Sequence, residues 1–210
     1  MMHRFTWAVL CCLMLGCAVA KHKKEARKKP VVFMGDSITQ GWQALMPEFF
    51  AGKPYVNKGI GGQTTRQMLA RFQADVMDLH PHAVVILGGT NDIAGLGGDM
   101  PVDSIFRNIV AMAGMASAKG IKVVLCSVIP AYEYACCKTV KPVPLIAALN
   151  EKISRYCREE GISFVDYFPV LADEKRGLAP VLTGDGVHPN RAGYEKMRPL
   201  LEKAIASSYQ

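Results

Sequence analysis

The chain has 210 residues, half of them hydrophobic, which is enough for one domain with a sizeable core. Its formal charge is +7, but residues 21–29 hold six Lys/Arg against one Glu, and Arg4 adds one more, leaving +1 for residues 30–210. A body so close to neutral gives no indication of a basic face for nucleic acid, and no nucleic-acid partner is expected.

The amino terminus reads as a secretion signal. Arg4 gives a positive start, Phe5 to Ala20 is apolar apart from Thr6, and Ala18-Val19-Ala20 is a small-residue cleavage pattern. The apolar run of about 16 residues falls short of the roughly 20 that a membrane span needs, and its far side is basic too. Residues 1–20 are therefore expected to be removed and the protein to be secreted or periplasmic. A lipoprotein signal ending at Leu15-Gly16-Cys17 is the alternative, with Cys17 as the lipid anchor, although Met14 matches the start of such a box poorly. Residues 21–30 form a basic linker, read as a solvated spacer, and the folded domain runs from 31 to 210.

The first predicted strand is Val31 to Phe33, whose β-branched and aromatic residues suit burial on both faces. Gly35 closes it, and Asp36-Ser37 follow at the carboxyl end, where open α/β sheets bind ligands. Ser37 on its own reads equally well as a helix cap. Gly41 to Phe50 is predicted helical, with Trp42 as packing. Tyr55 to Asn57 is a second strand, leading into Lys58-Gly59-Ile60-Gly61-Gly62, a tight glycine turn able to present N–H donors to an anion. Thr64 or Thr65 caps the next helix, which runs through Leu79 and ends before Pro81.

Ala83 to Leu87 is a continuous apolar run and so a central strand; it ends in Gly88-Gly89-Thr90-Asn91-Asp92. The Asn91 amide stays neutral at every pH and suits a developing negative charge, while Asn and Asp are also ordinary turn formers. A helix over Pro101–Ala118, a strand over Ile121–Ile129, a helix over Val143–Glu160 and a strand over Ile162–Val165 follow. The loop 131–141 leaves a strand's carboxyl end, where it is placed to wall a cleft. Asp185 and His188 share the loop before a last helix from about Asn190 to Ser207. That three-residue step lets a carboxylate reach the imidazole Nδ1–H while Nε2 faces a serine. Five alternations of strand and helix predict an α/β fold with a parallel sheet between helix layers.

Beyond the signal, four cysteines remain: Cys126, Cys136, Cys137 and Cys157. They show no zinc spacing. Cys126 reads as a small core residue, and either Cys136 or Cys137 is available to pair with Cys157, three complete pairings being open.

Four blocks, each at a strand end, give the chain its identity as a type. Gly35-Asp36-Ser37-Ile38, Gly62 within Asn57 to Gly62, Gly89-Thr90-Asn91-Asp92, and Asp185-Gly186-Val187-His188-Pro189 resemble, in order, those of the SGNH (GDSL-type) esterases. The resemblance covers residues 31 to about 205. It implies a flavodoxin-like three-layer sandwich with a five-stranded parallel sheet, and a serine ester hydrolase. It also implies Ser37 as nucleophile, His188 as general base and Asp185 as its orienting acid. The oxyanion hole would be the Ser37 N–H, the Gly62 N–H and the Asn91 amide. No metal or cofactor is expected. The expected substrate is a small-molecule or glycan acyl ester, acetyl foremost. A lysophospholipid, other lipid ester or thioester is the alternative, since the blocks also resemble platelet-activating-factor acetylhydrolase-like members. A non-catalytic binding protein on the same fold is the minor alternative.

Overall fold

The computed structural model describes residues 28–210. The expected signal, Cys17 and residues 21–27 of the basic linker lie outside the described residues.

In chain order the elements are β1 (Val31–Gly35), α1 (Ser37–Leu45), α2 (Pro47–Phe50), β2 (Tyr55–Gly59), α3 (Thr65–Asp75), β3 (Ala83–Leu87), α4 (Thr90–Ile93), α5 (Val102–Ser117), β4 (Lys122–Cys126), α6 (Pro142–Glu160), β5 (Ser163–Val165), α7 (Phe168–Leu171) and α8 (Arg191–Ser207). The five strands form one sheet in the order β2-β1-β3-β4-β5, every pair parallel. This is the expected fold class, with the strand order of flavodoxin-like sheets.

Alternation along the strands feeds two cores. Val32, Met34, Val84 and Ile86 pack with Met68 and Phe72 of α3, Ile105 and Ile109 of α5, and Ile146 and Leu149 of α6. Val31, Phe33, Val85 and Leu87 pack on the other face with Ile38 and Trp42 of α1, Phe49 of α2, and Tyr194, Met197 and Leu201 of α8. Both faces are covered, so the strands read as unbroken apolar runs rather than alternating ones. Trp42 stacks on Phe49 with ring centroids 5.0 Å apart, which fits its reading as packing.

Several boundaries differ from expectation. The helix predicted from Gly41 to Phe50 begins earlier, at Ser37, because Asp36 Oδ1 accepts from the Ile38 N–H at 2.9 Å and caps it there. It also breaks at Met46, because Pro47 pushes the residue before it out of the helical region and lacks an N–H to continue the ladder. The α3 helix stops at Asp75, and residues Met77–Leu79 form a separate 3₁₀ turn. The four cysteines in the described part are free thiols, Cys126 and Cys157 both buried.

Sheet order reverses at β1, between its neighbours β2 and β3. Chains leaving β1 and β3 diverge to opposite sides there and open a crevice at the carboxyl ends. Ser37 follows β1 and Asn91 follows β3, so the two sequence blocks flank that crevice.

Candidate active site

Ser37 is the first residue of α1 and is half-buried. Its Oγ lies 2.9 Å from His188 Nε2. The other ring nitrogen, Nδ1, lies 2.7 Å from Asp185 Oδ2. Ser37, His188 and Asp185, expected from the sequence to act together, are thus brought into one hydrogen-bonded line. The loop holds them by local means. Asp185 Oδ1 accepts from the Val187 N–H at 2.9 Å and the His188 N–H at 2.8 Å, while the Thr183 hydroxyl donates to the His188 carbonyl at 2.8 Å. Burial alone would raise the Asp185 carboxyl; the His188 main-chain and ring N–H groups and the Val187 N–H outweigh it and bring it down to about 2. Asp185 is therefore a carboxylate at neutral pH.

The glycine turn lies against the serine. A side chain carbon placed on Gly61 would sit 3.8 Å from Ser37 Cβ. Gly62 has φ +75°, a backbone conformation that glycine adopts without strain, and Gly59 approaches α1 so closely that a Cβ there would lie 2.2 Å from the Gln40 nitrogen. Among the described residues neither the Ser37 N–H nor the Gly62 N–H meets an acceptor. Asn91 is buried, and its Nδ2 donates to the Gln63 carbonyl at 2.9 Å. An amide nitrogen carries two hydrogens, so one remains for another acceptor.

The next residue, Asp92, had been read only as a turn former. It is buried and takes the Thr65 N–H at 2.9 Å and the Thr65 hydroxyl at 2.6 Å, with Asn108 Nδ2 donating to the same hydroxyl at 3.0 Å. This joins the loop after β3 to the start of α3, just beyond the glycine turn. Asp36, adjacent to the serine, is buried with Oδ2 lacking any partner. Burial pushes its carboxyl up to about 6, against the lowering effect of the Ile38 N–H and of His188. Nothing in the sequence marks Asp36 as more than part of a motif; its burial shows only in the fold. Among the described residues, no three His, Cys, Asp or Glu side chains cluster so as to hold a metal ion.

Two clefts border these residues. One, of about 460 Å³, is lined by Tyr132, Glu133, Asp173, Lys175 and Asp185 among others. The loop 131–141 does therefore wall a cleft at the carboxyl ends of the strands. The other, of about 480 Å³, has Asp92 at one side and is mostly apolar, with Ile93, Met100, Ile105, Val140 and Leu145.

Comparison with known proteins gives consistent likenesses. The profile of the GDSL-like Lipase/Acylhydrolase family matches residues 33–196. Esterase TesA of Pseudomonas aeruginosa is 29% identical over 198 residues, which is 88% of this chain and 92% of that protein. The crystal structure of a GDSL-like lipase from Bacteroides thetaiotaomicron superposes with a TM-score of 0.83 at 44% identity, covering 86% of this chain and 89% of that one. A crystal structure from Bacteroides fragilis gives a TM-score of 0.85 at 41% identity, covering 89% of this chain and 90% of its own.

Proposed function

The chain belongs to the GDSL-like Lipase/Acylhydrolase family and is a carboxylic ester hydrolase; on that premise we propose that it removes short acyl groups, acetyl foremost, from carbohydrate esters. The observation that carries the reading is the unbroken line from Asp185 Oδ2 through both ring nitrogens of His188 to Ser37 Oγ.

A neutral hydroxyl is a weak nucleophile, so a base has to take its proton as the new C–O bond forms. Ser37 Oγ attacks the acyl carbon, its proton passes to His188 Nε2, and negative charge gathers on the former carbonyl oxygen. Asp185 holds the Nδ1–H, which fixes the tautomer and stabilises the imidazolium. The Ser37 N–H, the Gly62 N–H and the free hydrogen of Asn91 Nδ2 receive the oxyanion. When the intermediate collapses, the C–O bond to the alcohol breaks and Nε2 returns the proton to the departing oxygen. Water then attacks the acyl-serine, again giving a proton to His188, and the second collapse releases the acid and restores Ser37. None of these steps calls for a metal or a cofactor.

The cleft that shares Asp185 supports a polar alcohol, because sugar hydroxyls need donors and acceptors of the kind Glu133, Asp173 and Lys175 supply. A second reading, a lysophospholipid, other lipid ester or thioester, is favoured by the apolar cleft beside Asp92, which would take an acyl chain. Hydrolysis of p-nitrophenyl acetate beside the C4 to C12 esters separates the two, with Ser37→Ala in parallel. The expected outcome is a steep preference for acetate and a loss of about 10⁴-fold or more in the variant. Preference for long chains would move the assignment to lipids. Equal rates for wild type and Ser37→Ala would sink the triad.

No described helix is long and apolar enough to cross a membrane. We further propose cleavage after Ala20 and release to the periplasm or the medium. A mature protein starting at Lys21 would support this; a diacylated Cys17 would support the lipoprotein alternative.

A further inference from the structure

Arg71 lies on the second turn of α3, and its side chain is only 14% exposed. A guanidinium presents five donors in a rigid planar fork. Here Nε donates to Gln63 Oε1 at 2.5 Å, Nη1 to the Lys58 carbonyl at 2.8 Å and to Asp75 Oδ2 at 2.7 Å, and Nη2 to the Gly35 carbonyl at 2.9 Å. Asp75 also takes Lys58 Nζ at 2.9 Å, so one carboxylate pairs with both cations. An ordinary helix-surface pair with Asp75, four residues on, would use one edge of the guanidinium and leave the others in water.

The remaining acceptors share a location. Gly35 ends β1 and stands two residues before Ser37. Lys58 lies in β2, just ahead of the glycine turn. Gln63 directly follows Gly62, and its own carbonyl is held by Asn91. One side chain therefore ties the strand that carries the serine to both ends of the turn that carries Gly62. A lysine in its place would keep the charge but offers one nitrogen, which cannot serve three acceptors on diverging lines.

We propose that Arg71 is a positioning residue that fixes the Gly62–Gln63 turn against Ser37, so that the N–H donors are already aimed where negative charge develops. The inference rests on the reading of Gly62 and Asn91 as oxyanion donors. Preorganised donors act through the transition state rather than through ground-state binding, which makes the effect separable from simple loss of structure.

The test uses the mature enzyme, p-nitrophenyl acetate, and a short trifluoromethyl ketone as mimic of the tetrahedral state. For Arg71→Lys, kcat is expected to fall about 10- to 100-fold with KM within about threefold, and the ketone Ki to rise by the factor lost in kcat/KM. Gln63→Met removes only the Nε acceptor and should show a smaller drop of the same kind. Combined with Arg71→Lys it should cost little more than Arg71→Lys alone, since both act through one contact. A lowered Tm with unchanged kcat and Ki would overturn the proposal, as would full additivity of the two substitutions. If Arg71→Lys fails to fold, Gln63→Met still decides, because an unchanged Ki there overturns it. Wild type is first compared with Ser37→Ala, and equal rates in that control would strike the esterase mechanism itself rather than the role of Arg71.

Discussion

The two halves of the proposed catalytic site, His188 with Asp185 as the base and the segments of Gly62 and Asn91 as the oxyanion donors, are held by opposite strategies. On the base side, His188 and Asp185 have side chains 47% and 54% exposed, and every hydrogen bond that fixes them, apart from that to Ser37, comes from residues 183–188 of their own loop. On the donor side, Asn91, Asp92 and Thr65 are buried, and their contacts join segments 27 or 28 residues apart. The difference follows from the tasks. A base takes the serine's proton, returns it to the departing alcohol and then takes one from water, so it needs access to both leaving group and water. Oxyanion donors must already be in place when charge appears, because any reorganisation at that moment adds to the barrier. Local hydrogen bonds suffice for the first, whereas the second draws on the core.

The contrast has measurable consequences. The largest is expected for Asp185→Asn, which should lower kcat by about 10³- to 10⁴-fold by stabilising the wrong imidazole tautomer, and should also remove at pH 7 the stability that the carboxylate contributes. The folded carboxyl sits at about 2 against an ordinary 3.8, so its contribution to stability is present above about pH 4 and is lost as pH falls toward 2. Urea midpoints between pH 5 and 2 should therefore fall more steeply for wild type than for Asp185→Asn. Next comes Asn91→Ala, expected to cost about 10²- to 10³-fold in kcat and also about 1 kcal/mol of stability, since the part-buried Gln63 carbonyl loses its donor. A full loss of activity with no loss of stability would break the comparison, because the donor side would then be no more tied to the core than the loop.

The smallest effect sharpens it. Asp36→Asn keeps an acceptor for the Ile38 N–H but removes a buried charge. The wild-type carboxyl is raised from 3.8 to about 6, so the folded state binds more protons between those values and stability falls as pH rises through them. The variant should be more stable at pH 8 by up to about 3 kcal/mol, with the gap closing below pH 4, as read from urea midpoints. No gain at pH 8 would mean that Asp36 does not bear the cost of burial assigned to it.

Much of this was legible in the chain itself. Strands buried on both faces leave uninterrupted apolar runs, so β1, β3 and β4 announced themselves, and candidate site residues followed β1 and β3 within a few positions. Asp185 and His188 are close in sequence, so their pairing could be read from spacing. The start of α1 was misread because the cap comes from the residue before Ser37, hidden inside a motif. Arg71 gave no signal of its role: a charged residue on a helix with an acid four positions on reads as a solvated pair, and its other acceptors lie 8, 13 and 36 positions away. Asp92 was missed for the same reason, its partner Thr65 being 27 positions upstream.

The hydrogen bond between Ser37 and His188 spans 151 positions, and the Tyr194 hydroxyl on α8 donates to the Ile38 carbonyl at 2.7 Å across 156. The proposed nucleophile thus leaves the ribosome well before its proposed base. A nascent chain truncated before residue 188 carries a serine with no proton acceptor, however well its first strands have paired. On the proposed mechanism, competence to cleave arrives only once residue 188 has been made and α8 has docked.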